Sequence, residues 1–289
     1  MTDRPLVATG ATEQIHDRVY VIPDRRVEFV PNVGVVIGED AVLVIDTAMG
    51  AENGERVLAE ARRLAGDRKL FLTTTHFHPE HAFGAQAFKP QGTYVANSAQ
   101  AEELADKGSE YVEMFSGFGP ALAELLADVE LVHPDVTYSG EKARLELGGI
   151  AVDLLYYGPA HTRGDQLVFL PEQRILFPGD LVENRFLPIF PDGDALGSRW
   201  LMLLDRIDAL DPAVLVPGHG AIGDRGLVEE LRSYLKDVRT RVEALHSEGR
   251  PLDEIETTID EEMRSRYADW DNDMWIGSAV KSFHGELAG

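Results

Sequence analysis

Short apolar segments rich in β-branched residues punctuate this chain, and each of them is bounded by Pro, Gly or Asp. Such segments are typical of β-strands. They form two blocks, and each block is followed by segments with helical periodicity, such as Glu52 to Leu64 and Ala99 to Asp106 in the first half. This order, in which a block of strands followed by helix occurs twice and the chain ends in helices, predicts an α/β fold. In that fold two sheets pack face to face, with helices on the outside.

A dense cluster of metal-binding side chains follows one of these strands. His76, His78, Glu80 and His81 lie directly after the apolar segment Lys69 to Leu72. Three imidazoles and a carboxylate at the end of a buried strand are hard to explain by packing, and they suit first-row metal ions. Because the chain contains no cysteine, a His/carboxylate site is expected, which is how catalytic zinc is usually held.

Three other predicted strands also end in residues that can bind a metal. His161 lies in GPAHTRGD, Asp180 in LFPGD and His219 in VPGHG. Each motif alone fits an ordinary turn or cap residue. Four strand ends that supply only His, Asp or Glu, flanked by Gly and Pro, instead favour one shared site, since glycine lets the backbone approach an ion closely.

In this order and spacing, the motifs resemble those of the metallo-β-lactamase fold superfamily. The family pattern is H-x-H-x-D-H followed by a lone His, a lone Asp and a lone His, and here the segments are HFHPEH, GPAHTRGD, LFPGD and VPGHG. The opening strands, from Asn32 to Asp46, match as well. The resemblance covers about residues 17–222 and implies a four-layer αββα sandwich. We expect a single domain over residues 1–289, with a helical tail from about 226 to 289.

The resemblance also implies a role for each residue of the motifs. His76, His78 and His161 would hold a first metal, Glu80, His81 and His219 a second, and Asp180 would bridge both. Asp46 would orient ligands without binding metal. The expected cofactors are two divalent ions, with zinc as the first choice and iron or manganese as alternatives.

At one position this chain departs from the family, because Glu80 stands where the family has Asp. A side chain one methylene longer leaves three alternatives open. These are a working two-metal site of altered geometry, a site with weak affinity for the second metal, and a scaffold that has lost much of its activity.

The function implied is metal-assisted hydrolysis of a small ester, lactone or lactam. Two divalent ions lower the pKa of a water molecule from near 16 towards roughly 7, with Glu80 and Asp180 as the catalytic carboxylates. Arg185, Phe186 and Phe190, in the long loop after Asp180, are candidate substrate-binding residues, although core packing explains the aromatic ones equally well. A mononuclear iron oxygenase using His76, His161 and Asp180, a lactam-specific enzyme and a non-catalytic metal-stabilised scaffold are the alternatives.

The charge of the chain limits its partners. A formal net charge of −23 disfavours nucleic acid and anionic membranes, because a phosphate backbone requires a basic surface. A small-molecule substrate is therefore expected, and a homo-oligomer is left open. Neither a signal-like N-terminus nor a long apolar run is present in the sequence, which predicts a soluble, cytoplasmic protein, with export left open.

Overall fold

A computed structural model describes residues 4–288 of the chain. Its first β-sheet has seven strands in sequential order: β1 Glu13–His16, β2 Val19–Ile22, β3 Val33–Ile37, β4 Ala41–Ile45, β5 Lys69–Thr73, β6 Gly92–Asn97 and β7 Val136–Tyr138. Strands β1 to β4 pair antiparallel, whereas β4 to β7 pair parallel. The carboxyl ends of β4 to β7 therefore lie at the same edge of the sheet.

Five strands form the second sheet, in the order β12-β11-β10-β9-β8: β8 Lys142–Glu146, β9 Ala151–Leu155, β10 Leu167–Leu170, β11 Ile175–Gly179 and β12 Val214–Pro217. Only β11 and β12 pair parallel. The helices are α1 Gly50–Ala65, α2 Pro79–Ala82, α3 Ser98–Gly117, α4 Pro120–Leu126, α5 Gly197–Asp208, α6 Gly226–Ser247, α7 Leu252–Arg266 and α8 Ile276–Ala288.

Alternation along the strands produces the layers. In β4, Leu43 and Ile45 face the second sheet and pack with Val168 and Phe177. The intervening Val42 and Val44 belong to a separate apolar cluster on the other face, together with residues of α1. Because side chains of a strand point alternately to opposite faces, a fully apolar strand is buried on both sides. The predicted αββα sandwich is confirmed.

The outer face of the second sheet is covered by α5 to α8. Leu155, Phe169 and Leu215 of this sheet share one apolar core with residues of all four helices. The helical tail therefore packs on the same core as the second sheet. Within residues 4–288, no helix combines the length and the apolarity that crossing a bilayer requires.

The helix after β6 is longer than the sequence predicts. Asn97 caps it as expected, because its side chain accepts a hydrogen bond from the backbone N–H of Gln100. The helix then continues to Gly117 rather than ending at Asp106. Gly108 does not stop it, since a Cβ there would lie 2.8 Å from Leu131. The Leu131 side chain packs against Gly108, so this glycine provides room for a contact inside α3 and does not end the helix.

Candidate metal centre

All seven motif residues lie in segments that follow strands, Glu80 and His81 in the short helix α2 and the others in loops, and the sandwich brings these segments together. The segment after β5 carries His76 to His81, and the other three residues follow β9, β11 and β12. Each of the seven is at most 8 % exposed: His76, His78, Glu80, His81, His161, Asp180 and His219. They form two groups, and in each group one atom per residue lies within 4.8 Å of the others.

The first half-site consists of His76, His78, His161 and Asp180. His78 Nδ1 lies 3.0 Å from His76 Nε2 and 3.2 Å from His161 Nε2. Nitrogens bound at 2.0–2.1 Å to one tetrahedral zinc ion would be about 3.3 Å apart. The three imidazoles therefore already have the spacing of a tetrahedral site.

The second half-site consists of Glu80, His81, His219 and Asp180. Although Glu80 is one methylene longer than the family's Asp, its carboxylate reaches this group. The extra length is thus accommodated within the loop, and the substitution does not remove an acidic donor from the site.

Asp180 belongs to both half-sites and presents one oxygen to each. Its Oδ2 lies 3.8 Å from Nε2 of both His76 and His161. The other oxygen, Oδ1, lies 3.2 Å from His81 Nε2 and 3.8 Å from His219 Nε2. One carboxylate is therefore shared between two sets of ligands, which is the geometry of a bridging ligand.

Hydrogen bonds on the far side of the rings fix which nitrogen of each imidazole faces inward. His161 Nδ1 lies 2.9 Å from the carbonyl oxygen of Ile189, and His219 Nδ1 lies 3.1 Å from that of Val30. A carbonyl only accepts hydrogen bonds, so both Nδ1 atoms carry the proton and both Nε2 atoms keep a lone pair for a metal. These two carbonyls have no signature in the residue types of the sequence.

Asp46 and Thr75 form hydrogen bonds with each other and lie against two of the histidines. Asp46 Oδ1 accepts from the backbone N–H of Thr75 at 2.7 Å, and Oδ2 accepts from the Thr75 hydroxyl at 3.0 Å. Oδ2 also lies 2.9 Å from His81 Nδ1. The Thr75 hydroxyl lies 3.2 Å from His76 Nδ1. Asp46 and Thr75 thereby orient one imidazole in each half-site.

A residue that the sequence interpretation left without a role, Asp165, shapes the loop around His161. Its carboxylate accepts from the backbone N–H groups of Ala160, His161 and Thr162, at 2.8 to 3.1 Å, and from the Thr162 hydroxyl at 2.6 Å. A turn closed by an Asp side chain is a common local motif. The signal was therefore present in HTRGD, four residues after the ligand.

Two glycines beside Asp180 are needed for close approach. A Cβ on Gly218 would lie 1.9 Å from Asp180 Oδ1. Gly179 has a φ of +58°, and a Cβ there would lie 2.6 Å from Thr75. Any larger residue at these positions would push the bridging carboxylate or the histidine loop away.

The pKa values in the metal-free centre follow from burial and from the mutual charges. Burial, helped by the neighbouring imidazoles, lowers the pKa of His76 and of His78 well below the usual value. Burial also lowers the pKa of His81, but Asp180 and Asp46 outweigh it and hold that pKa well above the usual value. Burial raises the pKa of Glu80 to about 7. Glu80 can therefore exchange a proton near neutral pH.

These residues fit divalent metal ions. Glu80 Oε2, His81 Nε2 and both Asp180 oxygens are buried without a hydrogen-bond partner. Unpaired buried polar atoms are costly, and buried charges are normally paired or bound to metals. Imidazole and carboxylate are the donors that zinc, iron and manganese share. Cations at the two half-sites would satisfy all four atoms.

The candidate substrate-binding residues separate into two groups. Phe190 is 4 % exposed and packs on Trp200 and Phe283, which favours the packing role that the sequence left open. Phe186 is half-buried, and its ring centroid lies 5.7 Å from that of His219. Arg185 is exposed and paired with Asp269. Only Phe186 of the three therefore contacts the metal centre.

Comparisons with known proteins give a consistent relationship. A family model described as the metallo-beta-lactamase superfamily matches residues 26–219. A metallo-beta-lactamase type 2 of Bacillus cereus is 26% identical over 213 residues, which are 72% of this chain and 75% of that protein. A linear primary-alkylsulfatase of Pseudomonas sp. is 23% identical over 234 residues, which are 68% of this chain and 43% of that protein.

Among solved structures, the stereoselective inverting sec-alkylsulfatase Pisa1 from Pseudomonas sp. is similar with a TM-score of 0.73 and 14% identity. The similarity covers 96% of this chain and 50% of the alkylsulfatase. At this identity the likeness concerns the fold alone.

Proposed function

We propose that this chain, which belongs to the metallo-beta-lactamase superfamily, is a metal-dependent hydrolase that uses two divalent ions. Zinc is the first choice of ion, and the substrate is a small ester, lactone or lactam. The observation that supports this most directly is Asp180, which turns one oxygen to each of two buried ligand sets. A site for a single ion has no need for the second set.

The chain's own residues have defined tasks in such a reaction. His76, His78 and His161 would hold one ion, while Glu80, His81 and His219 would hold the other. Divalent ions bound there would supply polarisation of the substrate's carbonyl oxygen and would lower the pKa of water from near 16 towards about 7. The protein needs no serine or cysteine nucleophile for this chemistry.

Glu80 is the residue we expect to handle the proton. Its buried carboxylate belongs to the second half-site, where it would lie beside a water molecule bound to the same ion. In the metal-free centre, burial raises the pKa of this carboxyl to about 7, so the group can take up or release a proton near neutral pH before an ion binds. Asp180 orients the water between the half-sites, because its two oxygens face both.

We expect substrate to approach from the side of His219. At 8 % exposure His219 is the least buried of the seven ligands, and the Phe186 ring lies beside it. Arg26 stacks over the Phe186 ring at 4.6 Å. An apolar ring next to a cation suits a small neutral or amphipathic substrate.

Metal removal and restoration tests the proposal. Protein stripped with a chelator should not hydrolyse any member of a panel of esters, lactones and lactams, and zinc should restore turnover of at least one member. Asp180→Ala and His78→Ala should lack this activity, whereas His133→Ala, which removes an exposed histidine outside both half-sites, should retain it.

Two outcomes would contradict the proposal when the metal content and the oxygen uptake of the purified protein are measured alongside turnover. One iron per chain with oxygen uptake would instead support the mononuclear oxygenase that uses His76, His161 and Asp180. Tight binding of metal without turnover of any substrate in the panel would support a non-catalytic scaffold.

A further inference from the structure

Glu183 is a buried carboxylate that the proposed reaction does not use. It lies three residues after Asp180 and is 2 % exposed. Neither of its carboxylate oxygens has a hydrogen-bond partner. Within residues 4–288, the buried acidic side chains that contain such an unpartnered oxygen are Glu80, Asp180 and Glu183. Two of these three are ligands of the metal centre.

Other buried acids in this protein have local donors, so the lack of partners is specific to this region. Glu60 is bound by Arg63, and Glu103 is bound by Lys107 and by the backbone N–H of Gly164. An unpaired carboxylate in the interior is costly unless something compensates its charge. Glu183 therefore needs a partner that the protein chain does not supply.

The backbone places Glu183 beside the second half-site. The N–H of Gly218 donates to the carbonyl of Val182 at 3.3 Å, and the N–H of Asn184 donates to the carbonyl of His219 at 3.0 Å. The segment that carries Glu183 is thus held on both sides to the segment that carries a ligand.

The electrostatic surroundings of Glu183 agree with this position. Burial raises the pKa of Glu183 well above its usual range, Asp180 and Glu80 raise it further, and His81 opposes them. All three neighbours belong to the second half-site. Glu183 itself is not one of the four ligands grouped there.

We propose that Glu183 is a positioning carboxylate of the second half-site, and that in the metal-loaded protein its negative charge strengthens the binding of the divalent cation held by Glu80, His81 and His219. This inference rests on the two-ion centre proposed above. Asp46, Glu80, Asp180 and Glu183 each carry one negative charge when ionised, which together match the charge of two divalent ions. Without Glu183 the match is incomplete, and the second ion should be the one that is lost.

The test compares neutral and charged substitutions by zinc titration of the metal-free proteins against a competing chromophoric chelator. In Glu183→Gln and Glu183→Met we expect the affinity for the first ion to be unchanged and that for the second to fall by at least about tenfold, as for other groups that support ligands from outside. Glu183→Asp, which keeps the charge, should fall between the wild type and Glu183→Gln. Glu60→Gln is the matched control, a buried glutamate bound by Arg63 and Thr12.

A second measurement does not depend on zinc stoichiometry. A buried carboxyl group without partners is costly to the folded state, so a neutral group of similar size at this position should not destabilise the metal-free protein. The metal-free Gln and Met variants should therefore fold, with a melting temperature equal to or above that of the wild type. Zinc should raise their melting temperature by less than it raises that of the wild type. Far-UV circular dichroism of the metal-free proteins verifies that each variant folds.

Several results would overturn the inference. The first is a neutral variant that binds the second ion with wild-type affinity. The second is an equal loss of affinity for both ions. The third is a Glu183→Asp variant that binds the second ion no more tightly than Glu183→Gln. If the wild type itself binds one ion, the proposed function fails along with the inference. If the wild type binds two ions and hydrolyses substrate while the neutral variants bind both ions as tightly, only the inference is wrong.

Discussion

The Asp46→Asn substitution tests how the protein orients its ligands. Asp46 accepts three hydrogen bonds, two from Thr75 and one from His81 Nδ1. An Asn side chain can keep the bond from the Thr75 N–H, but its NH₂ group would face the His81 N–H where an acceptor is required. The backbone should not change, because Asp46 has a φ of +67° and Asn tolerates this left-handed region.

The expected magnitude follows from these bonds. A hydrogen bond to a charged group contributes about 1.5–3 kcal/mol, so the metal-free protein should lose about 2 kcal/mol of unfolding free energy. The proton of His81 is then free to move to Nε2, which blocks that nitrogen as a ligand. The affinity for the second ion should fall by about 10- to 100-fold, while the first half-site should retain its ion.

Zinc titration and urea denaturation of the purified variant measure both effects, with Asp67→Asn, at an exposed position, as the control. If Asp46→Asn binds two ions with wild-type affinity and unfolds at the wild-type urea concentration, then the orientation of His81 by Asp46 is not required, and the reasoning is wrong.

Other predictions concern the bridging ligand, the longer carboxylate and protons. Gly218→Ala should lose both ions, because its Cβ would lie 1.9 Å from Asp180 Oδ1; full zinc content by elemental analysis would contradict this. Glu80→Asp withdraws the carboxylate by one C–C bond, about 1.5 Å, and should lower the affinity for the second ion by about tenfold in a zinc titration. Tighter binding of that ion would show that the loop is not adapted to Glu. Zinc loading at pH 6 should release protons, because the metal-free pKa of Glu80 is about 7 and that of His81 is raised, so zinc affinity should rise with pH through this range. Calorimetry in buffers of different ionisation enthalpy measures the release, and its absence at pH 6 would contradict the proton competition.

Much of the fold and the ligand set could be predicted from the sequence, because both depend on residue type and order. Strand segments ending in His, Asp or Glu between glycines are visible without coordinates, and so is the αββα plan. The strand β6 was missed because it begins with Gly92 and Thr93 and ends with Asn97, so only its middle residues are apolar. Helix was predicted over Ala99 to Asp106 and again from Tyr111, and the joining of the two segments into α3 was missed because Gly108 between them is a poor helix former.

The groups around the ligands were harder to predict for a physical reason. His161 and His219 are oriented by backbone carbonyls, of Ile189 and Val30, and any residue type supplies a carbonyl. Glu183 has no motif, and only its burial without a partner identifies it. Such positions depend on how distant segments meet, which composition and periodicity do not encode.

The most direct test of the central claim is anomalous X-ray diffraction at the zinc absorption edge from crystals of the zinc-loaded protein. We predict two anomalous peaks on opposite sides of the Asp180 carboxylate, one among His76, His78 and His161 and the other among Glu80, His81 and His219. A single peak, or peaks elsewhere on the protein, would contradict the claim that this carboxylate joins two ion sites.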